Sequence, residues 1–148
     1  RASGSEDYYH GLIREYELEH IVFIEPRISY QKTLLEMFTV DGLLLFQGSL
    51  CNHQIPAKVY EYFRAKKPIF ALTDAEGDTA ALLRNAGINN MAELDDVQGI
   101  AQQLSLYFQQ LASGSAVIAN EEFVMAQSRQ ARTVQLADVL NLCVAEDE

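Results

Sequence analysis

The stretch Ile55-Pro56-Ala57-Lys58-Val59-Tyr60-Glu61-Tyr62-Phe63-Arg64-Ala65-Lys66-Lys67-Pro68-Ile69-Phe70-Ala71-Leu72 decides the fold, because it packs a loop end, a helix and a buried strand into eighteen residues. Pro56 has a fixed φ and no N–H to leave unpaired, which suits the first position of a helix. Val59, Tyr62 and Phe63 then recur at helical spacing, while Lys58 and Glu61 lie three apart on another side. After Pro68, residues 69–72 form the short continuous apolar run of a strand buried on both faces. The free amides and the positive dipole end at such a helix start favour phosphate, and Lys58 adds a full charge.

Working outward, the same alternation repeats. Ser5 is placed to cap a helix through about Leu18, residues 21–24 read as a first buried strand ended by Pro26, and Ser29 caps a second helix. Residues 43–46 read as a second buried strand, 47–55 as a loop, and Asp78 or Thr79 as the start of a helix stopped at Asn85-Ala86-Gly87. A weak strand over 90–94 precedes a helix capped by Asp95 that carries Val97, Ile100, Ala101, Leu104 and Phe108. Ser113-Gly114-Ser115 reads as a linker, and 120–145 as helical, with Leu136, Val139, Leu140 and Cys143 on one stripe. Short strands alternating with longer helices predict an α/β fold: an open parallel Rossmann-like sheet, helices on both faces and a C-terminal helical extension. The expected organisation is a partial nucleotide-binding domain over 1–112, followed by a linker and helices over 113–148.

Twenty-one acidic against eleven basic residues give a formal charge of −10, which opposes binding to nucleic acid and to anionic membrane surfaces. The window 58–67 is a local exception, with Lys58, Arg64, Lys66 and Lys67 against the single acid Glu61. Arg64, Lys66 and Lys67 also suit the last turn of a helix, but Lys58 is at the wrong end for that. Cys51 and Cys143 have neither CxxC nor Cys/His zinc spacing, so reduced thiols in a cytoplasmic protein are the expected state. No apolar run approaches the roughly 20 residues that span a bilayer. The chain does not begin with Met, and its polar opening reads as a loop leading into a helix, as in a piece of a longer protein.

In open parallel sheets ligands bind outside the carboxyl ends of the strands. The loop after residues 43–46 therefore draws attention, since it offers Gly48 for close backbone approach, carries His53 and leads into Pro56. The loop after 69–72 holds Asp74, Glu76 and Asp78, which read as solvated acids rather than metal ligands.

Pro56-Ala57-Lys58-Val59-Tyr60-Glu61-Tyr62, followed by Lys67-Pro68-Ile69-Phe70-Ala71, is similar to the donor-site signature of family 4 glycosyltransferases, in the carboxyl-terminal domain of the GT-B fold. The similarity extends less specifically to residues 20–30, Gly87, the helix start at Asp95-Asp96 and the Ser128-Arg129 region. It implies a retaining, metal-independent transferase that uses a nucleotide sugar and needs no cofactor. Two glutamates mark that family's donor site; Glu61 falls on the second, which bonds the ribose, and His53 replaces the first. The amides around Ala57 and Lys58 match those that face the distal phosphate. Lys66 stands where the family has Gly, and a left-handed conformation there costs a non-Gly residue about 1 kcal/mol. Without the motif, Glu61 would read as a surface partner of Lys58 or Arg64, and His53 as a solvated loop residue.

The resemblance also implies parts that this sequence does not carry. The acceptor and the general base belong to an N-terminal domain, and association of the full-length protein with a membrane periphery is compatible with it. In the doubly wound order 3-2-1-4-5-6, residues 21–24 and 43–46 would be the third and fourth strands, with their intervening neighbours missing. Either direct pairing of those two segments or self-association is expected to cover the gap. Two other classes stand beside this reading. Lys67-Pro-Ile-Phe-Ala-Leu-Thr73 and Asn85-Ala-Gly87 resemble a receiver domain, but Gln47 occupies the place of its phosphoacceptor Asp. A non-catalytic α/β interaction module would explain the C-terminal apolar stripe.

Overall fold

The structure, a computed structural model, describes residues 4–145; the first three residues of the polar opening expected over 1–7 and the last three residues of the chain lie outside them. The chain forms two compact units, residues 1–35 and 36–148. In the first unit, α1 (Glu6–Glu15) starts after Ser5, whose side chain makes no capping bond. It ends three residues earlier than expected, where Glu17 turns left-handed at φ 55° and Leu18 N donates to Ile13 O at 2.9 Å. Residues 21–24 are not a strand. Among the described residues no strand pairs with them, Ile21 and Phe23 are 62% and 69% exposed, and the Ile21 and Val22 amides bond back to Leu18 O. An apolar run becomes a buried strand only where a sheet edge accepts it, and here the local turn took its amides instead. α2 (Tyr30–Met37) begins after Ser29, whose Oγ accepts from the Lys32 amide as expected of a cap.

The second unit is α/β, with a small open parallel sheet in the order β1 (Leu43–Phe46), β2 (Ile69–Leu72), β3 (Met91–Ala92). Leu43 to Phe46 align with Ile69 to Leu72 residue for residue, and Ala71 and Leu72 with Met91 and Ala92. Side chains alternate between the two faces. On one, Leu45, Ile69 and Ala71 meet Val59 and Phe63 of α3 (Ala57–Ala65) and Leu82 and Leu83 of α4 (Asp78–Asn85). On the other, Phe70 and Leu72 meet Tyr107 of α5 (Val97–Ser113), with Ile100, Leu104 and Leu111 beside it. Helices thus cover both faces, as the alternation of strand and helix patterns implies.

The stripe that α5 buries differs from the expected one: Tyr107 is buried while Val97 and Phe108 are exposed. The Tyr107 hydroxyl donates to Pro68 O at 3.0 Å, and a Cβ on Gly42 would lie 2.0 Å from the Tyr107 hydroxyl oxygen. Glycine at 42 therefore makes room for the ring, whose hydroxyl is pushed up in pKa by burial. Asp96 caps α5 rather than Asp95, accepting from Gly99 N at 2.9 Å. The helix runs through Ser113 to a left-handed Gly114, so the expected linker begins one residue later. After it, Asn120 N donates to Ala86 O, and α6 (Glu121–Ala126) sets Phe123 and Val124 against the core shared by α3 and α4. α7 (Arg129–Ala145) completes the helical extension, but its stripe at Leu136, Val139, Leu140 and Cys143 is exposed.

β1 is an edge strand among the described residues. Leu43 N and Gln47 N donate to Pro68 O and Leu72 O, so the backbone groups of Leu44 and Phe46 face away from β2. One of them, Leu44 O, accepts from the Tyr62 hydroxyl at 3.2 Å. Leu44 and Phe46 are 45% and 62% exposed on the α5 side, where the α5 cluster takes in Phe70 and Leu72 of β2 and Ala92 of β3. Among the described residues the sheet contains β1, β2 and β3, without the strand expected at 21–24. No helix among the described residues is long and apolar enough to cross a membrane.

Candidate functional site

The carboxyl ends of β1 and β2 carry two loops that hydrogen bonds tie into one layer. After β1 the chain makes a single 3-10 turn (Ser49–Cys51) and reaches Pro56, which stands at the N-cap of α3, one position before its expected place. Val59 N bonds back to Pro56 O at 3.0 Å, which leaves Ala57 and Lys58 at the two helix positions whose amides have no carbonyl within their own helix. Buried Val59 and Phe63 anchor the inner side of α3, Ala57 and Lys58 are exposed, and Glu61 is half-buried one turn further on. Glu61 and Lys58 are thus neighbours three apart at the amino-terminal end of one helix.

Gln47 organises the loop. It is 5% exposed, and its side-chain amide donates to Cys51 O at 2.6 Å and to Gln54 O. Its Oε1 accepts from the hydroxyl of Thr79, itself 1% exposed, at 2.7 Å. That hydroxyl also lies 3.3 Å from Gln54 O, and Thr79 is the second residue of α4. The second loop joins through Asn52, whose Nδ2 reaches Asp74 Oδ2 at 2.5 Å and whose carbonyl accepts from Asp78 N at 2.9 Å. The Glu76 amide and then Asn52, both donating to Asp74, hold its carboxyl below the ordinary aspartate value. Asp74 is therefore a structural acceptor, and among the described residues no group of three or more His, Cys, Asp or Glu could hold a metal ion.

The six residues singled out for donor binding fall on this layer. Pro56, Ala57, Lys58 and Glu61 share α3, while Gly48 and His53 sit exposed on the loop that Gln47 clamps. Gly48 has φ −72° and ψ 150°, and a Cβ there would meet nothing within 4 Å, so the fold itself makes no demand for glycine. Lys66 does adopt the left-handed conformation, at φ 52° and ψ 43°, with its Nζ 2.6 Å from Glu121 Oε1. Tyr62, next to Glu61, has its hydroxyl pushed up by burial and then by the Glu61 charge.

Gln47, Asn52, Gln54 and Thr79 were not legible as a network. Each is an ordinary polar residue on a loop or helix start, and only the meeting of two loops distant in sequence makes them partners. A glutamine directly after an apolar strand was the one available signal. No family model, curated protein or solved structure matches this chain. What fold and site define together is an α/β protein with an ordered polar layer at the carboxyl ends of a small parallel sheet.

Proposed function

We propose that this chain is the nucleotide-sugar donor-binding part of a retaining, metal-independent glycosyltransferase, a partial GT-B carboxyl-terminal domain with a Rossmann-like sheet. The observation that carries the reading is the start of α3: two amides without helical partners, with Lys58 beside them, stand at the carboxyl end of a parallel sheet. Glycosyl transfer breaks the bond between the anomeric carbon and the diphosphate, and negative charge grows on the departing oxygen. The Ala57 and Lys58 amides and the Lys58 ammonium would stabilise that charge by donating to the distal phosphate. Glu61 would accept from the ribose hydroxyls, and His53 and Gly48 would border the transferred sugar. The left-handed Lys66, at the place where the family has glycine, supports the alignment of motif and structure.

In this reading the acceptor and the general base come from another domain of the full-length protein. The test is calorimetric titration of that protein with uridine, guanosine and adenosine diphosphates and their sugar esters. Wild type is expected to bind one of the three bases, and Lys58→Ala and Glu61→Ala each to weaken it at least tenfold. Unchanged affinity in both variants would remove the case for α3. A second reading, a non-catalytic interaction module, is favoured by the exposed apolar side chains of Leu44 and Phe46 and of the α7 stripe. It predicts no nucleotide affinity, together with self-association that Phe46→Ser weakens.

A further inference from the structure

We propose that Gln47 is the positioning residue of this site: it fixes the loop that bears Gly48 and His53 and delivers the chain to Pro56 at the start of α3. The inference rests on the donor-site reading and adds a residue to it. α3 itself is held by Val59 and Phe63, both buried in the core, so its axis does not depend on Gln47. In the loop, Ile55 at its end packs on the same core and Asn52 bonds Asp74, whereas Gly48, Ser49, Leu50, Cys51, His53 and Gln54 are all exposed. The position of that exposed part relative to the sheet comes from backbone carbonyls. Gln47 spends both hydrogens of its amide on two of them, Cys51 O and Gln54 O, at either end of the segment that contains His53.

The orientation of the amide is determined by its partners. Turned over, its oxygen would face two carbonyl oxygens and its nitrogen the Thr79 hydroxyl, losing both loop bonds. Because Oε1 accepts from Thr79, the same side chain also ties the loop to the first turn of α4, and Gln47 N bonds Leu72 O in the sheet. One residue thus references the loop to β2 and α4 together. A buried amide with its hydrogens and its oxygen engaged is a rigid support, which a site on an exposed loop requires if its groups are to meet a ligand in one geometry.

The experiment compares Gln47→Glu, which keeps the shape but turns a donor toward two carbonyls into an acceptor, with Gln47→Met, which removes the bonds without adding charge. Thr79→Ser is the conservative control that keeps the hydroxyl. Each is made in the full-length protein and read three ways: thermal midpoint, amide hydrogen exchange over residues 48–55, and affinity for the diphosphate that wild type binds. The expected result is that both Gln47 variants keep a cooperative transition. They exchange the loop amides at least tenfold faster and bind at least tenfold more weakly, while Thr79→Ser behaves as wild type. Wild-type affinity and wild-type exchange in either folded Gln47 variant would overturn the proposal, as would an affinity loss with no change in loop exchange. If wild type binds none of the three diphosphates, the donor-site reading falls and this proposal with it. That outcome differs from the others because it appears before any variant is made.

Discussion

The two flanks of β1 are built on opposite principles. At its carboxyl end the chain buries Gln47 and Thr79 and joins two loops by hydrogen bonds, so polar groups are ordered around exposed Lys58 and His53. Along its outer edge Leu44 and Phe46 are apolar and exposed, and the outward Leu44 carbonyl accepts from the Tyr62 hydroxyl. Buried polar groups are costly unless they are hydrogen-bonded, as Gln47 and Thr79 are, whereas an open strand edge is normally a liability that a fold covers. The first flank is therefore a satisfied polar layer, and the second an open edge among the described residues.

The contrast sharpens most on two phenylalanines that point to the same sheet face. Phe70→Ala removes a ring packed against Tyr107 and is expected to cost about 3–5 kcal/mol, measured by denaturant unfolding. A loss below about 1 kcal/mol would show that the α5 face is not a packed core. At the far end of α3 from the site, Lys66→Gly relieves a left-handed side chain and should raise stability by up to about 1 kcal/mol, since the exposed pair with Glu121 contributes little. Destabilisation instead would mean that Lys66 is held by something stronger than that pair. Phe46→Ser, on the open flank, should stay within about 0.5 kcal/mol of wild type. A cost of several kcal/mol, with a change in sedimentation, would show that a second copy or another segment covers this edge in solution.

The smallest effect is electrostatic. The folded pKa of Asp74 lies below its unfolded one, near 3.9 for a free aspartate. Its stabilisation is thus complete above that ordinary value and is lost as pH falls through the lowered one. Wild type should lose loop order on acidification below about pH 4, seen as faster exchange of the Glu76 amide, while Asp74→Asn shows a flatter acid limb. Identical acid limbs would mean that the Asp74 bonds to Glu76 and Asn52 contribute nothing in solution.

Local pattern sufficed where one periodicity operated without competition. Residues 43–46 and 69–72 became strands with the expected bounds, α3 began within one residue of Pro56, and Gly87 stopped α4 with φ 85°. Residues 21–24 have the same apolar composition and failed, because a strand also needs a partner edge, which no local window contains. The register of α5 was misjudged for a related reason. Tyr107 is buried through a hydroxyl bond to Pro68 and a space left by Gly42, both far away in sequence. The candidate site divides the same way: the α3 start was visible as consecutive residues, whereas Gln47, Asn52 and Thr79 became partners only when two loops met.

The central claim is that the first amides of α3 receive a phosphate. The most direct measurement is the backbone amide resonances of Ala57 and Lys58 during titration of the full-length protein with the nucleoside diphosphates. Saturable shifts are expected at these two amides and at Glu61, with the groove of about 740 Å³ lined by Leu44, Phe70, Leu104 and Phe108 left unperturbed. Silent amides at 57 and 58, or shifts confined to that groove at the opposite end of the strands, would contradict it.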